Sequence, residues 1–195
     1  MTKSRLEAFS DGVIAILITI MVLDLKAPAG AALSDLWGLA PELGMYALSF
    51  VIVGIYWNNH HHLFLATRRI SGGVLWANLH LLFWLSLVPF VTRWLGQTDA
   101  APLTTAAYGA VLLLAAVAYG ILVQVLLHCQ PPGSTLAKAV GGDLKGNVSI
   151  ALYAAALPLA FVSPNVSLGL YTLVAIIWFV PDRRIESRLK EPAVD

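Results

Sequence analysis

Charge is scarce in this 195-residue chain. Only 12% of its residues are Asp, Glu, Lys or Arg, against about 25% in an ordinary soluble domain. So little charge cannot cover a water-facing surface, which excludes a soluble globular domain and a disordered segment. Neither sign dominates: Lys and Arg number 12 and Asp and Glu 11, a net charge of +1. Without a basic excess there is no electrostatic footprint for a nucleic acid. Cysteine is almost missing. The single Cys129 rules out an internal disulfide and a cysteine-built metal cluster. Hydrolase and nucleotide signatures are missing too: there is no G-x-S-x-G elbow, and Ser71-Gly72-Gly73 is a turn rather than a phosphate loop.

What the chain has is apolar length. Hydrophobic residues make up 58%, and a spanning helix needs about 20 of them in a row. Six runs stand out, at about 9–25, 43–65, 74–95, 103–128, 147–162 and 166–180, separated by polar or Pro- and Gly-containing breaks. The runs are continuous, without the alternation of a barrel strand. The expectation is an all-α membrane protein with six transmembrane helices over residues 1–181 and a short charged tail at 182–195. Lys3 and Arg5 before a short apolar core imitate a secretory signal. Asp11 just ahead of that core is unusual for one, so the segment is expected to stay as the first helix. Six spans put both termini on one side, with Lys3, Arg5, Arg68, Arg69, Lys138, Lys145, Arg183, Arg184, Arg188 and Lys190. Only Lys26 and Arg93 fall on the other. Ten against two places the termini in the cytoplasm.

Polar groups inside a membrane are costly and mark the first places to look for function. Ser10, Asp11 and Thr19 lie on the first span, Trp57 and Asn58 to His62 on the second, Asn78, His80 and Ser86 on the third. The topology gathers Asp11, His60, His61, His62, Asn78 and His80 in the cytoplasmic third, beside Arg5. Three consecutive histidines do not make a metal site: neighbouring helical residues point about 100° apart, and none of the three has a ligand partner at i+4. The expectation is a hydrogen-bonded network joining three helices, with no metal and no catalytic residue. A proton relay in a secondary transporter is a competing use of the Asp11–histidine cluster, although broken helices in matching halves are missing. A non-conducting scaffold is a further alternative.

At this point the residues carry a family resemblance. Arg5-Leu6-Glu7-Ala8-Phe9-Ser10-Asp11-Gly12 resembles the R-x-x-x-F-S-D-G signature of the transmembrane protein 175 family, which comprises the endolysosomal potassium channel of animals and shorter prokaryotic homologues. Tyr56-Trp57-x-x-His60-His61-x-Leu63-Phe64, Leu75-Trp76-Ala77-Asn78-Leu79, Leu82-Phe83 and Leu87-x-Pro89-Phe90 match in order. The second half of the chain matches only in span count. The resemblance implies a multi-pass protein of the cytoplasmic membrane, a homotetramer whose first helices line a pore for potassium, modestly preferred over sodium. It implies no cofactor and no filter of backbone carbonyls; the sequence T-V-G-Y-G is also missing here. Bulky apolar side chains would form the constriction, placed by the family's spacing at Ile16, Ile20 and Leu23, with Thr19 as a polar ring between them. Ile16, Ile20 and Leu23 are at i, i+4 and i+7 and share one helix face. Arg5, Phe9, Ser10, Asp11, Gly12, Trp57, His60, His61, Asn78 and His80 would be the signature and its polar support. Asp11 is expected to pair with a histidine or Asn78, and Asp24 to draw cations to the outer mouth.

Overall fold

The computed structural model describes residues 2–131, 134, 136–137 and 144–179. The tail at 182–195, the last residue of the sixth apolar run and Lys138 lie outside the described residues. Every regular element among the described residues is helical.

Four helical stretches are long and apolar enough to cross a membrane, so the chain is a multi-pass membrane protein. The first, α1 (Lys3–Leu23), buries Leu6, Ser10, Ile14, Leu17 and Met21. Their spacing of three and four draws one stripe along the helix. A short α2 (Leu33–Gly38) precedes α3 (Ala40–Leu65), which opens with Pro41, tolerated in the first turn because its missing N–H has no partner there anyway. The third stretch is not the single helix the apolar run suggests. It divides into α4 (Gly72–Ser86) and α5 (Val88–Gln97), meeting at Leu87. Pro89 gives the reason, since it offers no N–H to residue 85 and its ring crowds that carbonyl. Ser71 caps α4 through Oγ, which accepts from the Val74 N–H at 3.4 Å. The fourth stretch is α6 (Pro102–Cys129).

The remaining elements are α7 (Leu144–Leu159) and α8 (Pro164–Phe179), apolar but 16 residues each. That is about 24 Å of helix, short of the ~30 Å hydrocarbon core. The helix α6 is the hub: it packs on α4 and α5 on one side and on α7 and α8 on the other. The stripe of α1 packs on α3, α4 and α5. The α3–α4 turn is held from two sides. Lys3 Nζ donates to the Thr67 carbonyl at 3.1 Å, and Gln130 Oε1 accepts from the Arg68 and Arg69 N–H groups at 3.0 and 3.3 Å. The ends of α3 and α6 and the start of α1 therefore lie together.

Candidate functional site

At that end of the bundle α1, α3 and α4 exchange hydrogen bonds through their side chains. Asn78 Nδ2 donates to Ser10 Oγ at 2.9 Å. Its Oδ1 accepts from His60 Nε2–H at 2.8 Å, and Ser10 passes its own proton to the Leu6 carbonyl at 2.9 Å. With the Asn78 amide donating to Ser10, its carbonyl is the end left for His60, which fixes the His60 proton on Nε2. Ser10 and Asn78 are 0% exposed and His60 1%. The His60 ring lies 4.5 Å from the ring of Phe64, centroid to centroid. A buried polar group without a partner is costly; here each closes on the next, and the three helices are locked in one register.

Asp11 stands outside this chain. Its Oδ1 accepts from Trp57 Nε1–H at 2.9 Å, and Trp57 stacks on His61 with ring centroids 6.2 Å apart and planes 20° apart. The expectation that Asp11 pairs with a histidine or Asn78 is corrected: its partner is the indole of α3. Helix rotation explains it. Adjacent residues point about 100° apart, so when Ser10 faces Asn78, Asp11 is turned along the α3 edge. The histidines separate for the same reason. His62 Nδ1–H donates to its own helix at the Asn58 carbonyl, at 2.7 Å. His80 turns to the exposed side of α4, where its Nε2 accepts from Trp84 Nε1–H at 2.9 Å. Among the described residues no group of three His, Cys, Asp or Glu is placed to hold a metal. Arg5, Phe9 and Gly12 are exposed, and a Cβ added at Gly12 would meet nothing within 4 Å.

The other face of α1 is largely exposed. Ile16 is 57% exposed, Ile20 43% and Leu23 81%. Thr19 lies on that face, its hydroxyl donating back to the Ile16 carbonyl at 2.9 Å, so an oxygen lone pair is what it can offer outward. Beyond the helix end, Asp24 is in an ion pair with Arg93 at 2.9 Å. That pairing corrects the reading of Asp24 as a cation-attracting charge, because the guanidinium cancels it. Sequence reasoning missed Lys3 and Gln130 as clamps. Gln130 did carry a signal: it stands directly before Pro131-Pro132, where α6 has to end and its last carbonyls need partners.

Comparison with known proteins matches this region first. A sequence model described as Endosomal/lysosomal potassium channel TMEM175 matches residues 5–89, which contain every residue of the Ser10–Asn78–His60 and Asp11–Trp57 contacts. A potassium channel of Chryseobacterium sp. (strain P1-3) is 50% identical over 191 residues, covering 98% of this chain and 100% of its own length. The chain belongs to the TMEM175 family. A second relative, a potassium channel of Streptomyces collinus, is 31% identical over 90% of this chain and 91% of its own. Among solved structures, a crystal structure of a lysosomal potassium-selective channel TMEM175 homolog from Chamaesiphon minutus superposes with a TM-score of 0.79. It is 27% identical and covers 92% of this chain and 97% of that one. For this TMEM175-family chain the similarity thus extends beyond the motif-bearing half to nearly its whole length.

Proposed function

We propose that this chain is the subunit of a potassium channel, in which four copies surround a pore lined by α1. The carrying observation is the division of α1 into two faces. One packs into its own subunit through Leu6, Ser10, Ile14, Leu17 and Met21. The opposite one leaves Ile16, Thr19, Ile20 and Leu23 exposed. Four such faces about an axis stack apolar rings at Ile16, Ile20 and Leu23, which gate by excluding water, with a ring of Thr19 oxygens between them. The relatives named as potassium channels supply the ion. Potassium passes with a modest preference over sodium, passively, and neither a cofactor nor a catalytic residue takes part.

The polar contacts act on α1 rather than on the ion. Ser10, Asn78 and His60 fix its rotation, Asp11 and Trp57 its edge, so the constriction keeps its diameter. In this reading residues 1–181 form a six-span channel domain. The short α7 and α8 cross the membrane with little tilt or with flanking residues, and 182–195 form a cytoplasmic tail. Both termini lie in the cytoplasm, a reading supported by the ten-to-two distribution of Lys and Arg, and the membrane is the cytoplasmic one.

The test is electrical. With the purified protein in planar bilayers, potassium on one side and sodium on the other, the reversal potential is expected to shift toward that of potassium. Ile16→Asn is expected to raise the current by wetting the constriction. Crosslinking in mild detergent is expected to give a tetramer. No unitary current, or a flux that needs a proton gradient, would overturn the reading.

A further inference from the structure

Behind the α1 site, on the far side of α3, a cavity of about 700 Å³ opens between α3, α6, α7 and α8. It is within the ~300–1,000 Å³ typical of small-molecule sites. Its walls change character along the bundle. The deep part is lined by Ile52, Val117, Ile121, Ile150 and Val174. The end nearest the α3–α4 turn is lined by Gln124, His128 and Asn147. Along α6 the step from Val117 to His128 is 11 residues, about 16 Å, which matches the ~15 Å depth of one leaflet's hydrocarbon.

Two of the polar side chains along the walls are turned back onto the protein. Asn59 Nδ2 donates to the Ile55 carbonyl at 2.8 Å, and Trp178 Nε1 donates to Ser149 Oγ at 2.7 Å. Apart from the Tyr56 and Tyr153 hydroxyls, an occupant of that part meets mainly apolar surface. The polar end differs. His128 Nδ1–H donates to the Gln124 carbonyl at 2.7 Å, which leaves Nε2 as an acceptor for an incoming hydroxyl. Lys145 Nζ sits 5.9 Å over the Trp178 ring, beside the same end and in the first turn of α7, where the helix dipole adds positive potential.

We propose that this cavity holds one acyl chain of an anionic phospholipid, taken from the leaflet on the α3–α4-turn side. The chain fills the apolar part, the phosphate rests near Lys145, and headgroup hydroxyls meet His128, Gln124 and Asn147. The site is distinct from α1 and requires only that the chain span the membrane, so it stands apart from the conduction reading.

Gly120 provides the test. It lines the cavity, and a Cβ there would meet no atom within 4 Å. A larger side chain there starts from open space and takes up cavity volume, and it replaces a poor helix former. The full chain is purified in mild detergent and examined by native mass spectrometry, with dioleoyl phosphatidylglycerol, dioleoyl phosphatidylethanolamine and oleate as probes. Wild type is expected to retain phosphatidylglycerol in preference to the other two. Gly120→Leu and Gly120→Trp are expected to lower that retention at least tenfold, with helical circular dichroism unchanged. Lys145→Gln is expected to reduce the preference for phosphatidylglycerol over phosphatidylethanolamine several-fold. Folded Gly120 variants that hold as much phosphatidylglycerol as wild type overturn the site. Equal or better retention of oleate, or no preference over phosphatidylethanolamine, overturns the anionic phospholipid as its occupant. Should neither Gly120 variant fold, an unchanged preference in Lys145→Gln decides against the proposal. A protein without current that still shows this binding pattern would sink the channel reading and leave the lipid site standing.

Discussion

The two halves of this chain are held together in different ways. In the first, α1, α3 and α4 are joined by directed hydrogen bonds, each needing a particular side chain: Ser10 to Asn78, Asn78 to His60, Asp11 to Trp57. In the second, α6, α7 and α8 meet mainly through shape. Tyr108, Tyr153 and Tyr171 pack ring against ring with centroids 5.7 and 6.0 Å apart. The Tyr171 hydroxyl is seated against Gly109, where it donates to the Thr105 carbonyl at 3.2 Å. Directed pairs leave a readable signature, because few residue types can replace them. Packing by volume leaves none, because many apolar combinations fill the same space. The family's sequence model covers residues 5–89, the half with the directed pairs, while similarity to the Chamaesiphon minutus structure spans 92% of the chain.

Four substitutions sharpen or break this contrast. The largest effect is expected in the second half. A Cβ at Gly109 would overlap the Tyr171 hydroxyl, and Tyr171 is fully buried among other rings. Gly109→Val is expected to cost about 3 kcal/mol or more, seen as loss of folded protein or a sharply lower Tm in detergent, with partial recovery in the Tyr171→Phe background. If it folds like wild type, the ring cluster around Gly109 is not a tightly packed unit. Next comes the first half. Asn78→Ala leaves Ser10 and His60 without their shared partner. Hydrogen bonds between membrane helices average about 0.6 kcal/mol each; two are lost and their buried groups left unpaired, so about 1–2 kcal/mol is expected, read from thermal unfolding. Asn78→Gln is not expected to rescue it, since the added methylene displaces the amide.

A smaller effect separates charge from hydrogen bonding at Asp11. Asp11→Ala removes the acceptor of the Trp57 indole and is expected to cost about 1 kcal/mol. Asp11→Asn keeps a carbonyl oxygen for the same N–H and is expected to cost less than half of that. The order is checked by comparing Tm. Equal losses would mean that the charge, not the bond to Trp57, is what α1 requires. The smallest effect belongs to Arg93→Gln. The pair with Asp24 is exposed, so no more than about 0–1 kcal/mol is expected, declining further as salt is raised. Its interest is electrical: releasing the Asp24 carboxylate is expected to raise cation current at low salt.

Much of this molecule was legible from its residues. The scarcity of charge named the solvent, and four of the six apolar runs correspond to long helical stretches, the last two to 16-residue helices. The blocks from Arg5 to Phe90 named the family. The break in the third stretch was also written, in Pro89, but a proline within an apolar run reads equally as a tolerated kink. The histidines were the hardest to read. The sequence places His60, His61, His62 and His80 at similar depth, and depth is all that span boundaries convey.

The partner of each polar group was decided by tertiary structure. Whether Asp11 meets a histidine or an indole depends on the rotation of α1 about its axis, and a difference of one residue turns a side chain by about 100°. That rotation is set by the whole stripe from Leu6 to Met21 packing on α3, α4 and α5, a sum over many weak contacts that no single residue encodes. The cavity behind α3 follows from the same cause. It is the volume left over when four helices settle at their best spacing, and its polar end and apolar depth exist only once those helices stand side by side. Composition determined the membrane, because burial in lipid depends on what the residues are. The contacts belong to the fold, because they depend on where the residues point.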